Sequence, residues 1–315
     1  MMIYNLEQIK QALNIKQHLP LMMQAISDEL ICYSNRESVV PMPLHLSFPE
    51  SRGECHVKAG YNRQDKIFVI KIATGFYANA ALGLPAGDGL MLVCCKKTGA
   101  IQAALCDAGY LTTLRTAVTA CIVAKLTPWA IKKISIIGTG ALARLVIATM
   151  HQQYPNAKIY LWGRNSSHVD QIQRDYPFVQ REDNLSALVS QGGVVITTTA
   201  SQTPLIYACD INKKIHLIAL GADQANKQEI ESSIFTIADE VMVDSQEQAV
   251  LFGDCAMAIK HKHKYMHASA LREVGCVLMS GINQNACTII TDLTGIAPQD
   301  LGIAKYAVQV LNWGV

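Results

Sequence analysis

The chain has 315 residues, is half hydrophobic and only 17% charged, and carries a net charge of +2; this is material for two domains with sizeable cores. The small net charge and the lack of a long basic run exclude a nucleic-acid surface. No apolar stretch of about 18 residues is free of charge, as a membrane span requires, and the start shows no basic segment followed by an apolar one, so a cytoplasmic protein with no membrane partner is expected.

Residues 2–33 predict helix, with apolar positions at helical spacing in NLEQIKQALNI and HLPLMMQAISDELICYS. The pieces LHLSF, CHVKAGY, KIFVIKIATGF, GLMLVCCKK and AIQAALCDAGYL follow, alternating or continuously apolar between turn residues, and predict a mostly antiparallel sheet. LTTLRTAVTACIVAKLT predicts a helix leading onward. From Lys133 the pattern becomes strand then helix. KISIIGTG, AKIYLWGRN, VVITTTA, IHLIALGAD and EVMVDS are the strands, with helices expected between them. Such alternation implies right-handed crossovers and a doubly wound parallel sheet, hence an α/β fold. The tail beyond Gly281 ends in an amphipathic helix.

The ten cysteines form no Cys-x-x-Cys pair, and most lie in apolar runs, so they read as buried free thiols of a reducing compartment. Cys94 and Cys95 are adjacent and should face opposite sides of a strand. The basic stretch IKHKHKYMH, residues 259–267, reads as a solvated helix end or loop ahead of a His-x-His metal site, and no metal is expected.

The segment KKISIIGTGALARLVIATM places Gly138, Gly140 and Ala143 at the three positions of a Gly-x-Gly-x-x-Ala turn between a strand and a helix. Gly138 permits the tight turn, and Gly140 lets the backbone approach a pyrophosphate. Ala143 lets the helix pack closely, with its N-terminal N–H groups facing the anion. A dinucleotide site is therefore expected, with Thr139, Ala141 and Leu142 in the loop. An NAD site needs an acidic residue at the end of the next strand. Here that strand ends in Gly163-Arg164-Asn165, and the nearest acid, Asp170, lies inside the following helix. Arg164 offers a fork for a 2′-phosphate, and Asn165, Ser166 and Ser167 can add hydrogen bonds, so NADP(H) is expected over NAD(H).

NAALGLPAGDGLMLVCCKKTGAIQAALCDAGYLTTLRTAV, IIGTGALAR, GADQANKQEI and DLTGIAPQD together resemble the ornithine cyclodeaminase/mu-crystallin family, from about Ser47 to the C-terminus. The resemblance implies a discontinuous substrate-binding and dimerisation domain, residues 1–118 and 292–315. A Rossmann dinucleotide domain, residues 119–291, would be inserted into it, with the active site in the cleft between the two and a homodimer as the assembly. It assigns Arg115 and Lys71 to the substrate carboxylate, Asp223 to the reacting amine or imine, and Thr116 to the cofactor phosphates. Thr294 joins the substrate residues, and Thr198 and Gly221 the cofactor residues. His45 stands where some members use an arginine for the carboxylate, and His56 lies in a strand feeding the same cleft. The chemistry agrees with these roles. A guanidinium binds a carboxylate bidentately, and a carboxylate facing a protonated C=N group makes its carbon a better hydride acceptor. Asp223 as a helix cap is the plainer reading.

Two departures matter. Gly163-Arg164-Asn165 resembles the members that reduce cyclic imines with NADPH and not those that cyclise ornithine on tightly held NAD. Leu142 stands where many members have Gln. The resemblance implies reduction of Δ1-pyrroline-2-carboxylate to L-proline, and by the same chemistry Δ1-piperideine-2-carboxylate to L-pipecolate. Ornithine cyclodeaminase, and a non-catalytic NADPH-dependent ligand-binding protein, remain the alternatives.

Overall fold

The computed structural model describes residues 1–261 and 268–312; the expectation placed on the histidine-rich stretch falls largely on 262–267, outside the described residues. The chain divides into two compact units, Met1–Thr116 with Ile296–Val315, and Ala117–Gly295.

The first unit runs β1 (Met2–Asn5), α1 (Leu6–Ala12), α2 (Ile15–Ser34), β2 (Ser38–Val39), β3 (Leu44–Phe48), β4 (Gly53–Asn62), β5 (Ile67–Phe76), β6 (Gly87–Cys95), β7 (Ile101–Cys106) and the helix α3 (Tyr110–Ala124), inside which the boundary falls. Its sheet has the order β1-β7-β6-β5-β4-β2, with β3 also on β4. The expected antiparallel strands are present, but residues 2–5, expected as helix, pair parallel to β7. The helix starts only at Leu6 because Asn5 and Gln8 form a capping box: Gln8 N donates to Asn5 Oδ1 at 3.0 Å, and Asn5 N to Gln8 Oε1 at 2.9 Å.

Strand alternation gives the sheet two different faces. One carries Val69, Met91, Val93, Ala103 and Leu105, all buried, and the C-terminal helix Ala297–Asn312 packs on β4 and β5 there. The other carries Val57, Ile70, Ile72, Leu90 and Leu92, only half-buried, with Leu44, Leu46 and Phe48 exposed. The strand GLMLVCC is thus apolar on both faces but covered on one. A register shift between Val93 and Cys94 leaves Cys94 buried and Cys95 half-buried. All ten cysteines are free; only Cys94, Cys121 and Cys255 are buried, and Cys106, Cys209 and Cys287 are exposed, contrary to the expectation of mostly buried thiols. Apolar neighbours in sequence did not place them, because each of the exposed three sits at the end of an element or in a turn.

The second unit contains β8 (Lys133–Ile137), α4 (Ala141–Gln153), β9 (Lys158–Trp162), α5 (Ser166–Asp175), β10 (Val179–Arg181), α6 (Leu185–Ser190), β11 (Gly193–Thr197), β12 (Ile215–Ala219), β13 (Glu240–Val243), α7 (Gln246–Ala249), α8 (Gly253–Lys260), β14 (Arg272–Glu273), α9 (Val274–Ser280) and β15 (Thr288–Asp292). The sheet is parallel throughout, in the order β10-β9-β8-β11-β12-β15-β13-β14. The central strands β11 and β12 are almost wholly buried and so read as continuous apolar runs. The five expected strands are present. β10, β14 and β15 were not expected, and β15 slots between β12 and β13. The connections after β11 and after β12 hold 3-10 turns, Ala208–Asp210 and Ser232–Thr236, where α-helices were expected. His216 on β12 is buried between the hydroxyls of Thr127 (2.8 Å) and Thr291 (2.7 Å), and burial pushes its pKa down to about 3.

Lys305 fastens the C-terminal helix in the first unit. Its Nζ lies 2.7 Å from Glu29 on α2 and 2.8 Å from Asp65 in the β4–β5 turn. Glu29 is 3% exposed, and burial raises its pKa against the pull of Lys305. Lys305→Met should cost about 2 kcal/mol, less than a fully buried pair because Lys305 is itself about a third exposed. Adding Glu29→Leu should recover most of this in urea unfolding, since the cost is that of a stranded carboxylate.

Candidate functional site

In the second unit the turn after β8 is built for an anion. Gly138 has φ +121°, and a Cβ there would lie 2.4 Å from Thr198 Oγ1. Thr198 follows β11 and donates from both N and Oγ1 to the Ile137 carbonyl, at 2.9 and 3.0 Å, which fixes the floor of the turn. Gly140 is the N-cap of α4 and contributes no side-chain bond, and a Cβ on it would point into open space. The first N–H groups of a 13-residue helix therefore keep their donors for a ligand. Thr139, Gly140, Ala141, Arg144, His168 and Gln171 line a cleft of about 350 Å³. The site lies at the carboxyl ends of β8 and β11, where strand order reverses and nucleotides bind in such sheets. Leu142 is the second residue of α4; its side chain is half-buried, and its place in the turn rests on its backbone.

Arg164 is exposed between β9 and α5. Asn165 caps α5, accepting from Ser167 N (3.0 Å) and Ser167 Oγ (2.8 Å), which leaves its amide NH2 outward; Ser166 is exposed at the first helical position. Asp170 is ion-paired with Arg181 at 2.7 Å. The end of β9 thus presents a guanidinium, and its nearest acid downstream is engaged elsewhere.

The loops after β11 and β12 meet on Glu229, which is fully buried. Its carboxylate accepts from Thr197 Oγ1, Thr199 N and Thr199 Oγ1, each at 2.7 Å, and from Gly221 N at 2.8 Å. Asp223, two residues on, is 38% exposed and pairs with Lys227 at 2.7 Å. No helix follows it, which removes the helix-cap reading. Thr294 is buried, donating to Asp244 at 3.2 Å and accepting from Gln248 at 2.8 Å, so its hydroxyl ties loops together.

Asp254 and Asp292 complete this buried acidic group. Asp254 Oδ1 accepts from the backbone of Glu229 and Ile230, and Asp292 Oδ2 from that of Cys255. Burial, and then their neighbouring carboxylates, raise Asp254 well above the usual range; burial raises Asp292 to about 7. The folded protein thus holds a proton that the unfolded chain releases near pH 4. That contribution to stability is complete below the ordinary carboxylate pKa and is lost as pH rises through about 7. Asp292→Asn should flatten the decline in melting temperature between pH 5 and pH 8; an unchanged slope would show that Asp292 holds no such proton.

In the first unit the sequence-predicted Lys71 and Arg115 meet on a residue that sequence reasoning did not assign. Lys71 Nζ lies 2.7 Å from Asp300 Oδ2, and Arg115 Nε 3.0 Å from Asp300 Oδ1. Arg115 also donates to Gln299 Oε1. All four are buried. Burial, reinforced by Arg115 and Lys58 and opposed by Asp300, brings Lys71 down to about 7. Burial alone would raise Asp300, but Lys71, Arg115 and Lys58 hold it below the ordinary carboxylate range. Arg115 and Lys71 share one carboxylate, and Lys71, brought down to about 7, carries its charge only in part at neutral pH. Asp300 had a signal, the one acid of the C-terminal helix, placed in its first turn. Thr116 Oγ1 donates to Thr112 O at 2.8 Å, so its hydroxyl proton is used within the helix and only its acceptor capacity remains.

Strand register extends this site. Lys58 stands opposite Lys71, His56 opposite Ala73, and Glu54 opposite Gly75, with His45 opposite His56. Ala73 and Gly75 in turn face Gly89 and Gly87. The sheet beside Lys71 is therefore a floor of Gly and Ala rimmed by Lys58, His56, His45 and Glu54. Among the described residues this rim brings one possible ligand atom each of His45, Glu54 and His56 within 4.8 Å of one another, where no metal was expected.

These features agree with what the chain is similar to. Residues 2–312 match the ornithine cyclodeaminase/mu-crystallin family, and the protein belongs to it. It is 31% identical over 308 residues to an uncharacterised cyclodeaminase of Sinorhizobium fredii, covering 94% of this chain and 93% of that one. It is 23% identical over 290 residues to a Δ1-pyrroline-2-carboxylate reductase of Bacillus thuringiensis, covering 87% and 86%. An archaeal alanine dehydrogenase dimer with bound NAD superposes with a TM-score of 0.88 at 22% identity, over all of this chain and 97% of the other, and so shares the fold. Among the described residues no helix is long and apolar enough to cross a membrane.

Proposed function

We propose that the protein reduces a cyclic imino acid with a nicotinamide cofactor, Δ1-pyrroline-2-carboxylate to L-proline, and by the same chemistry its six-membered homologue. The observation that carries this reading is the buried pair of cations, Lys71 and Arg115, on the single carboxylate of Asp300. The name of the Bacillus relative supports it. In this reading the first unit binds the substrate and the second the nucleotide.

The turn Gly138–Ala141 with Leu142, the residues Thr198 and Gly221, and Thr116 would hold the cofactor, and Arg164, Asn165 and Ser166 its ribose phosphate. Bound there, a nicotinamide supplies a hydride. Arg115 and Lys71 receive the substrate carboxylate. Lys71, set near 7, takes the charged form when a second anion arrives, which strengthens its hold. Asp223, kept near the positive charge of Lys227, is the carboxylate that stabilises the protonated C=N nitrogen or relays its proton through water.

Arg164→Asp should lower kcat/KM with NADPH and raise it with NADH; a wild type preferring NADH by tenfold or more would refute the role of Arg164. For the substrate, Arg115→Met should raise KM strongly and lower kcat/KM by roughly a hundredfold, the loss of one charge-assisted bidentate contact. Asp223→Asn should lower kcat more than it raises KM and leave NADPH affinity unchanged. The deciding assay follows cofactor oxidation with cyclic imines, keto acids plus ammonia, and L-ornithine in parallel. Turnover of L-ornithine to proline and ammonia without net NADPH consumption would replace the reductase reading by a cyclodeaminase.

We assign the half-exposed apolar sheet face, with Leu44, Leu46 and Phe48 at its edge, to a second copy of the chain. Light scattering at micromolar concentration should give the dimer mass, and Leu46→Glu should shift it toward the monomer.

A further inference from the structure

We propose that His45, Glu54 and His56, in the first unit, form a binding site for one divalent transition-metal ion of the zinc type. His45 on β3 and His56 on β4 are direct cross-strand partners, so both imidazoles project from the same face of the sheet. Glu54 is two residues before His56 on the same strand and therefore shares that face. The rings lie 4.6 Å apart between centroids at 30°, and one ligand atom from each of the three residues lies within 4.8 Å of the other two. Tetrahedral zinc with bonds of about 2.0–2.1 Å needs ligand atoms about 3.4 Å apart. The gap is a side-chain rotation, and His45, on the exposed strand β3, has room for it.

Two features prepare the carboxylate. Tyr77 donates its hydroxyl to Glu54 Oε1 at 2.9 Å, which orients the group as outer-shell partners of metal ligands do. The other oxygen, Oε2, lies 4.0 Å from His56 Nε2. Gly75 clears the space, since a Cβ there would lie 3.2 Å from Glu54 Oε1. Two imidazoles and one carboxylate suit Zn²⁺, Co²⁺ or Ni²⁺ and not the all-oxygen cations Mg²⁺ or Ca²⁺. Three protein ligands leave a fourth position for water or a small donor. His56 is two residues from Lys58, so a bound ion sits one side-chain row, about 7 Å, from the row of Lys58 and Lys71 on the same face.

The test titrates the full chain with Zn²⁺ by calorimetry and with Co²⁺ by absorption. One equivalent should bind, with the spectrum of nitrogen and oxygen ligands and no thiolate charge-transfer band, a needed control in a chain with ten cysteines. His45→Asn and His56→Asn should each weaken binding by at least about tenfold, and Tyr77→Phe by about tenfold. The double histidine variant should not bind, with far-UV circular dichroism and metal-free melting temperature unchanged. In the wild type, Zn²⁺ should shift the imidazole nitrogen resonances of two of the nine histidines, a readout that needs no variant. Absence of saturable binding, a thiolate spectrum, or equal affinity in the double variant overturns the site.

Discussion

The first unit is organised around one carboxylate. Asp300 receives Lys71 from the middle of a strand and Arg115 from a helix, while Gln299 beside it takes a second guanidinium bond. None of these groups could be buried alone: an isolated charge in such a place is driven to its neutral form or not buried at all. The carboxylate therefore fixes where the C-terminal helix lies on the sheet, and the ion pair of Lys305 with Glu29 and Asp65 holds the same helix further along. The same constraint sets the electrostatics: a guanidinium and an amine that burial brings down to about 7 share one carboxylate in a dry place.

The second unit also buries a carboxylate, but neutral donors satisfy it in place of cations. Glu229 is buried but satisfied by four donors from the loops after β11 and β12, so it ties those loops at the carboxyl ends of the strands. Asp244 does the same for Thr294 and Gly295. The nucleotide turn is rigid from below, where Thr198 bonds Ile137, and open above, where Gly140 carries no side chain. A preformed anion site of this kind has its donors in place before a ligand arrives.

The dinucleotide turn and the alternating strands of the second unit were legible in the sequence because each is a local signal, whereas Lys71 and Arg115 were singled out by the family resemblance. A Gly-x-Gly turn and a period of two or of 3.6 can be seen within about 20 residues. The parallel pairing of residues 2–5 with β7 was not legible, since four residues hold no period and their partner lies a hundred positions away. The connections after β11 and β12 differ from the expected helices for a related reason. An α/β rhythm predicts a helix in every crossover, while the Pro-containing segment SQTPLIYACD turns on itself.

What the sequence determined by itself is the class of fold and the residue types that carry charge into its core, because burial pattern and turn chemistry are written in neighbouring residues. What only the tertiary structure decided is the company those residues keep: Asp300 with Lys71 and Arg115, Glu229 with the loops after two strands, and His45 with His56 and Glu54. The reason is distance along the chain. Asp300 is more than 180 positions from Arg115, and no local pattern encodes a partner that far away. Long-range pairing is set by strand register and helix docking, which fix all such contacts together once the core has closed.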